Sequence, residues 1–119
     1  MRYFKITLAF PPSLNGLFAT NWQTKRRFPC KRYGQWLERT EHMKPHGFET
    51  ITTPVSVDMA YGRPYKRRRD LANLEKAPND LMVKWKVLED DSQIHRLTMR
   101  WAEPNEVPSG FVQITICEL

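Results

Sequence analysis

Apolar and polar residues alternate along the start of the chain. Every second residue from position 4 to position 10 is large and apolar: Phe4, Ile6, Leu8 and Phe10. A period of two predicts a half-buried β-strand. Pro11 and Pro12 end it, because proline cannot donate a hydrogen bond to a neighbouring strand. The same alternation predicts further strands at residues 55–61, 97–101 and 112–116.

Two segments have the longer period of a helix. Residues 31–44 place Tyr33, Trp36, Leu37 and Thr40 on one stripe, and Pro45 and Gly47 end that helix. A second helix is predicted to follow Asp70, which stands at the N-cap position, and to run to residue 82. Its apolar face contains Leu71, Leu74, Leu81, Met82 and Trp85. Pro78 is expected to kink this helix, because it removes a backbone donor from the helix interior.

The predicted order of elements is β-α-β-α-β-β. It indicates an α+β fold with two main helices and one small domain over residues 1–119. Helices between strands favour a partly parallel sheet, and the last two strands are expected to form an antiparallel hairpin. Residues 13–30 show no period and are predicted to be a long loop.

Charge limits the classes of partner. The chain has 119 residues and a formal net charge of +6, so its natural partners are polyanions. No apolar run is long enough to span a membrane, and the first one is too short and too polar for a signal peptide. The two cysteines, Cys30 and Cys117, lie far apart and do not suggest a disulfide framework. These features favour a cytoplasmic protein that does not bind membranes.

Candidate chemistry is concentrated between residues 67 and 91. Arg67, Arg68 and Arg69 immediately precede Asp70. The polar face of the second predicted helix contains Ala72, Asn73, Lys76, Asn79 and Asp80, and Asp90 and Asp91 precede the third predicted strand. Hydrolysis of a phosphodiester uses these residue types: carboxylates hold Mg²⁺, a lysine offsets charge on the phosphate, and arginines attract the backbone.

Each feature also has a simpler interpretation. Asp70 could serve only as a helix cap, and the arginines could form a solvated loop or a nonspecific nucleic-acid patch. Asp90 and Asp91 could form a turn, and Lys76 could only increase solubility. An extended segment of residues 86–91 could bring Asp91 back to Asp70 within one subunit. A site that a partner chain completes is equally compatible with the sequence.

Three motifs together resemble the RusA-type Holliday-junction resolvases. Residues 6–15 (ITLAFPPSLN) resemble the opening strand and Pro-Pro-Ser-x-Asn loop of that family. Residues 68–77 (RRDLANLEKA) resemble its Arg-Asp-x-Asp-Asn-Leu-x-Lys motif, and residues 87–94 (VLEDDSQI) resemble its Asp-Asp motif. The likeness follows the family's order and length, and it is strongest over residues 68–94.

The resemblance implies a homodimeric, Mg²⁺-dependent nuclease, with Mn²⁺ as a substitute, that cuts two opposed strands of a four-way junction in recombination and repair. It needs no small-molecule cofactor. By matching position, Asp70 and Asp91 would bind metal, Lys76 would assist at the scissile phosphate and Arg69 would contact the DNA backbone. Arg67, Arg68 and Asn73 complete the expected DNA-binding set.

One position departs from the family pattern. Ala72 stands where the pattern has a second aspartate, and alanine cannot bind a metal. Three explanations are open: an engineered change, a natural variant that works with fewer carboxylates, or a protein that binds junctions without cutting them. Glu75 and Asn79 lie on the same side of the predicted helix, where either could hold a metal-bound water.

Overall fold

The computed structural model describes residues 3–64 and 69–119. Over these residues the strands are β1 (Tyr3–Ala9), β2 (Phe18–Asn21), β3 (Arg26–Pro29), β4 (Val55–Tyr61), β5 (Ile94–Trp101) and β6 (Phe111–Glu118), and the helices are α1 (Lys31–Glu41) and α2 (Lys76–Lys84). Three single turns of 3₁₀ helix lie at Leu14–Gly16, Leu71–Leu74 and Asp91–Gln93. The mixed sheet and the two helices confirm the α+β class.

The main sheet has the strand order β1-β6-β4-β5. β4 pairs in parallel with β5, as the helix between them predicts, and both other pairings are antiparallel. One face of the sheet is buried, because alternate residues of its strands point into a single core with side chains from both helices. The largest fully buried side chains of the strands in this core are Leu8, Val55, Val57, Met59, Tyr61, Ile114 and Ile116.

The expected hairpin between the last two strands is wrong. β6 lies between β1 and β4, and β5 takes the edge of the sheet. The middle of β5 is exposed, and it includes His95 and Arg96, as is typical of an edge strand. Residues 102–110 pass over the end of β4 at Gly62, whose N–H donates to the Phe111 carbonyl at 2.8 Å. This connection is long enough to skip one strand.

The expected loop over residues 13–30 contains a β-hairpin. β2 and β3 pair antiparallel from Phe18 opposite Pro29 to Asn21 opposite Arg26. The Asn21 side-chain oxygen accepts from the backbone N–H groups of Gln23 and Thr24, at 3.0 and 3.3 Å. Hydrogen bonds of this kind let asparagine stabilise a tight turn that contains no glycine. The sequence pattern did not indicate this turn, because its left-handed residue is Lys25, with φ of 57°, and not a glycine.

The second helix is shorter than expected and is not kinked by Pro78. The chain first makes the 3₁₀ turn Leu71–Leu74, and α2 begins separately at Lys76. Pro78 is therefore the third residue of α2, where a backbone N–H has no partner within the helix. α1 ends at Glu41, three residues earlier than expected. In the part of the chain that the structure describes, no helix is long and apolar enough to cross a membrane.

We expect Gly62→Ala to lower the free energy of unfolding by about 2 kcal/mol or more. A Cβ atom at this position would lie 2.3 Å from the Pro108 carbonyl oxygen, which is backbone and cannot move aside cheaply. Urea denaturation of the purified variant measures the change.

Gly34→Ala is the matched control. Gly34 lies inside α1 and has open space around the added Cβ, so the same substitution should stabilise the protein by about 0.5–1 kcal/mol. Equal effects of the two substitutions would contradict the close crossing at Gly62.

Candidate active site

Asp70 caps the short turn that follows it. Its Oδ1 accepts from the Ala72 backbone N–H at 3.2 Å, and its Oδ2 accepts from the Asn73 side-chain amide at 3.4 Å. The capping role read from the sequence is confirmed. The residue is nevertheless exposed, so the carboxylate is also accessible to a ligand.

Tyr61 fixes this turn to the sheet. Its hydroxyl, buried at the end of β4, donates to the Leu74 carbonyl oxygen at 2.9 Å. Burial raises the pKa of Tyr61 well above its usual value, and the nearby Glu75 carboxylate raises the pKa further. The hydroxyl therefore stays protonated and remains a donor at any pH at which the protein functions.

Lys76 lies in the first turn of α2. Its ammonium group is 3.2 Å from the Asp80 carboxylate, and the two side chains are 48% and 32% exposed. An exposed ion pair of this kind holds weakly, so the lysine can exchange Asp80 for a phosphate.

Asn79 does not lie on a solvent-facing polar surface as expected. It is buried, and its amide donates to Glu75 Oε1 at 2.8 Å. The Asn79 side-chain oxygen has no hydrogen-bond partner among the described residues, but it is closed off from solvent. A solvent-accessible metal-bound water at Asn79 is therefore a poor fit.

Asp91 lies in a turn directly before β5. Asp90 caps this turn by accepting from the Ser92 hydroxyl and the Ser92 backbone N–H. These hydrogen bonds lower the pKa of Asp90, and the bond from the Ser92 hydroxyl has the largest effect. Gln93 ties the turn to the residues before β4 by donating to the Ile51 carbonyl at 2.7 Å. The expected turn is present, and it leaves the Asp91 side chain exposed.

The two carboxylates lie at opposite ends of the sheet. The Asp70 turn is bound to Tyr61 at the end of β4, whereas Asp91 precedes Ile94, which pairs with Val55 at the start of β4. Seven residues of strand separate these ends by about 20 Å. Residues 86–91 do not form the extended segment that was expected, because Lys86 has φ of 63° and Leu88 pairs with Ile51, which precedes β4.

One chain alone does not provide a complete metal site. Among residues 3–64 and 69–119, no three His, Cys, Asp or Glu side chains group closely enough to hold an ion. Ala72 contributes no ligand beside Asp70, and Asp91 is far away. Magnesium commonly takes only one or two protein carboxylates, so a magnesium site does not require three such side chains from this chain.

A basic groove lies beside the Asp70 turn. The Arg69 guanidinium is 5.2 Å from the centre of the Phe10 ring, whereas Arg67 and Arg68 lie outside the described residues. The groove has a volume of about 310 Å³, and its lining includes Pro11, Pro12, Arg32, Trp36, Arg39, Pro64 and Arg69. Sequence reasoning missed Arg32 and Arg39. Their spacing of seven residues, which places both on one face of α1, could have indicated them.

The chain belongs to the family described as endodeoxyribonuclease RusA, because the family's sequence model matches residues 13–116. Similar proteins include the crossover junction endodeoxyribonuclease RusA of Escherichia coli strain K12 and that of Shigella sonnei. Each is 29% identical to this chain over 122 residues, which cover 100% of the chain and 98% of the relative.

Removing the Tyr61 hydroxyl tests how the Asp70 turn is held. We expect Tyr61→Phe to lower the free energy of unfolding by about 1–3 kcal/mol, because the buried Leu74 carbonyl loses its donor. Amide hydrogen exchange should speed up in residues 71–74. Tyr33→Phe is the control, since that ring makes aromatic contacts while its hydroxyl has no hydrogen bond within the described residues. Similar losses in both variants would show that the hydroxyl does not anchor the turn.

Proposed function

We propose that this protein is a dimeric, divalent-metal-dependent endonuclease that binds four-way DNA junctions and cuts them in recombination and repair. The observation that carries the proposal is the likeness to crossover junction endodeoxyribonucleases along the whole chain. The family match over residues 13–116 supports the same class of reaction.

The charge distribution supports DNA as the substrate. Three arginines of the groove, Arg32, Arg39 and Arg69, lie next to the turn that presents Asp70. Arg67 and Arg68 directly precede Arg69 in sequence, and Asn73 lies on the Asp70 turn itself. Lysine and arginine contacts to phosphates provide most of the affinity of such proteins for DNA. We infer that this surface guides a phosphate toward Asp70.

The proposed roles follow from charge and exposure. Asp70 and Asp91 are the metal-binding carboxylates, and both are exposed. Lys76 offsets negative charge at the scissile phosphate after it exchanges its contact with Asp80. A bound Mg²⁺ or Mn²⁺ ion would supply Lewis-acid stabilisation of the phosphate and an activated water.

The distance between the two carboxylates supports a homodimer whose sites are shared. If Asp70 of one subunit meets Asp91 of its partner, each two-fold dimer contains two composite sites. Two related sites suit symmetric cuts on a symmetric junction. The exposed turn at one end of the sheet would then contact the opposite end of the partner.

Ala72 supports a second candidate function, which is binding of junctions with slow or no cleavage. The residue is exposed beside Asp70, where the family pattern has an aspartate. Loss of a carboxylate there removes a ligand while reducing repulsion of DNA. The two candidates therefore predict similar binding and different cleavage rates.

Mixed dimers distinguish a shared site from a site within one chain. We expect Asp70→Asn and Asp91→Asn each to be inactive as homodimers. A heterodimer purified through two different affinity tags should regain one intact Asp70–Asp91 pair and nick a single strand of the junction. The assay is gel analysis of labelled junction strands.

If each site lay within one chain, every site of the mixed dimer would contain one defect and no nicking would return. Light scattering provides the control for assembly. A mass near 14.1 kDa, that of one chain, at micromolar concentration would contradict the dimer itself.

Ala72→Asp tests whether the missing carboxylate limits cleavage. We expect the single-turnover rate on a four-way junction to rise at least about tenfold, because the metal gains a ligand beside Asp70. Junction affinity should stay level or fall slightly, since the new charge repels phosphate. The exposed position should leave the melting temperature nearly unchanged.

Ala72→Asn is the matched control, with the same shape and no charge. Cleavage that is equal in the two variants would show that the carboxylate at position 72 is not a metal ligand. A parent protein that neither binds nor cuts junctions, with Mg²⁺ or Mn²⁺, would refute the proposed function.

A further inference from the structure

The turn of the β2–β3 hairpin exposes the indole of Trp22. This side chain is 84% exposed, whereas Trp36 and Trp85 are each 4% exposed and Trp101 is partly buried. Large aromatic side chains are usually buried, and one left in solvent marks a contact surface when other features agree. Neither the core nor the candidate active site accounts for Trp22.

The hairpin is firmly attached to the rest of the molecule. Leu17 at its base is fully buried, and the Leu17 carbonyl accepts from the Cys30 N–H at 2.8 Å. The Phe18 ring meets the Tyr33 ring of α1 edge-on at 5.4 Å, and the Arg27 guanidinium lies 4.3 Å from the centre of the Phe18 ring. Asn21 closes the turn at the other end. These contacts hold the hairpin, and Trp22 at its turn, in a fixed position relative to the rest of the protein.

The hairpin belongs to a long stretch of the chain that has no acidic residue. Residues 1–37 contain seven Lys and Arg and no Asp or Glu, so their formal net charge is +7. Residues 38–119 have a formal net charge of −1, which gives the total of +6. Lys25, Arg26 and Arg27 follow Trp22 after two polar residues and are exposed. The charge selects a polyanion, and it repels an identical hairpin of a second copy across a two-fold axis.

A polyanion that also accepts an aromatic ring is a nucleic acid with an open base face. Aromatic side chains stack on unpaired bases, and cationic neighbours bind the adjoining phosphates. Inside a continuous duplex every base already has neighbours on both faces. A branch point interrupts that stack and offers an open face.

We propose that the β2–β3 hairpin contacts the branch point of a four-way junction, with Trp22 stacked on a base at the point of strand exchange. Lys25, Arg26 and Arg27 bind the phosphates beside it. This inference rests on the proposed function, and it assigns the preference for branched over linear DNA to the hairpin and not to the Asp70 site.

Binding measurements in EDTA, where no cutting occurs, test the assignment. Trp22→Leu retains an apolar side chain without a ring, and it should weaken junction binding by about fivefold or more while changing binding to a linear duplex much less. Trp22→Phe should retain most of the affinity. Because Trp22 is exposed, circular dichroism and melting temperature should match the parent in both variants.

Fluorescence supplies an independent readout. Trp22 is the most accessible of the four tryptophans, so acrylamide should quench the tryptophan fluorescence of the parent protein readily and that of the Trp22→Phe variant much less. Junction DNA should protect it from quenching, and a linear duplex should protect it less.

The outcomes separate the hairpin from the proposed function. If the parent binds junctions but Trp22→Leu binds them equally well, the hairpin assignment is wrong and the function stands. If the parent shows no preference for junctions, both fail. Protection of Trp22 that rises with protein concentration in the absence of DNA would make a second copy the occupant and overturn the inference.

Discussion

Parallel pairing of β4 and β5 determines where the candidate site residues lie. A connection between parallel strands must leave the sheet at one end and re-enter it at the other. The turn after Asp70 therefore begins at the Tyr61 end, and α2 carries the chain back to the Asp91 turn. This pairing keeps the turn after Asp70 at the Tyr61 end of β4 and the Asp91 turn at the Val55 end. Under the proposed function, a metal site that uses both carboxylates would therefore be completed by a second subunit.

Much of the fold could be predicted from hydrophobic periodicity. β4 has the bounds that its alternation indicates, because Val55, Val57 and Met59 all face one core. The position of β6 could not be predicted in this way. Alternation identifies the buried face of a strand but not its neighbours, and a nine-residue connection permits either a hairpin or a crossing over β4. Only the structure shows the crossing at Gly62, where the backbone of Pro108 comes too close to leave room for a side chain.

The sequence could likewise predict only part of the candidate site. The motifs indicated Asp70, Lys76 and Asp91. All three side chains are exposed in the structure, and Lys76 pairs with Asp80. Their separation depends on topology and could not be read from motif spacing. Asn79 illustrates a further limit, since a helical wheel placed it on the polar face, yet the start of α2 at Lys76 turns it into the protein. Arg32 and Arg39 share one face of α1, and they line the groove because this helix is held against the end of β1 by the bond from Trp36 to the Ala9 carbonyl.

The positive surfaces collect at the end of the sheet that carries Asp70. The base of the β2–β3 hairpin, the Leu14–Gly16 turn and the groove beside Phe10 all follow the end of β1, which adjoins the Tyr61 end of β4 through β6. Under the proposed function, DNA bound at this end would lie beside Asp70, whereas Asp91 of the same chain lies toward the other end of β4. Ala72 lowers the negative charge at the point where phosphate must approach. Under the proposed function, an alanine in place of this carboxylate slows cleavage but reduces the repulsion of phosphate, so affinity for DNA alone says nothing about whether the protein cuts it.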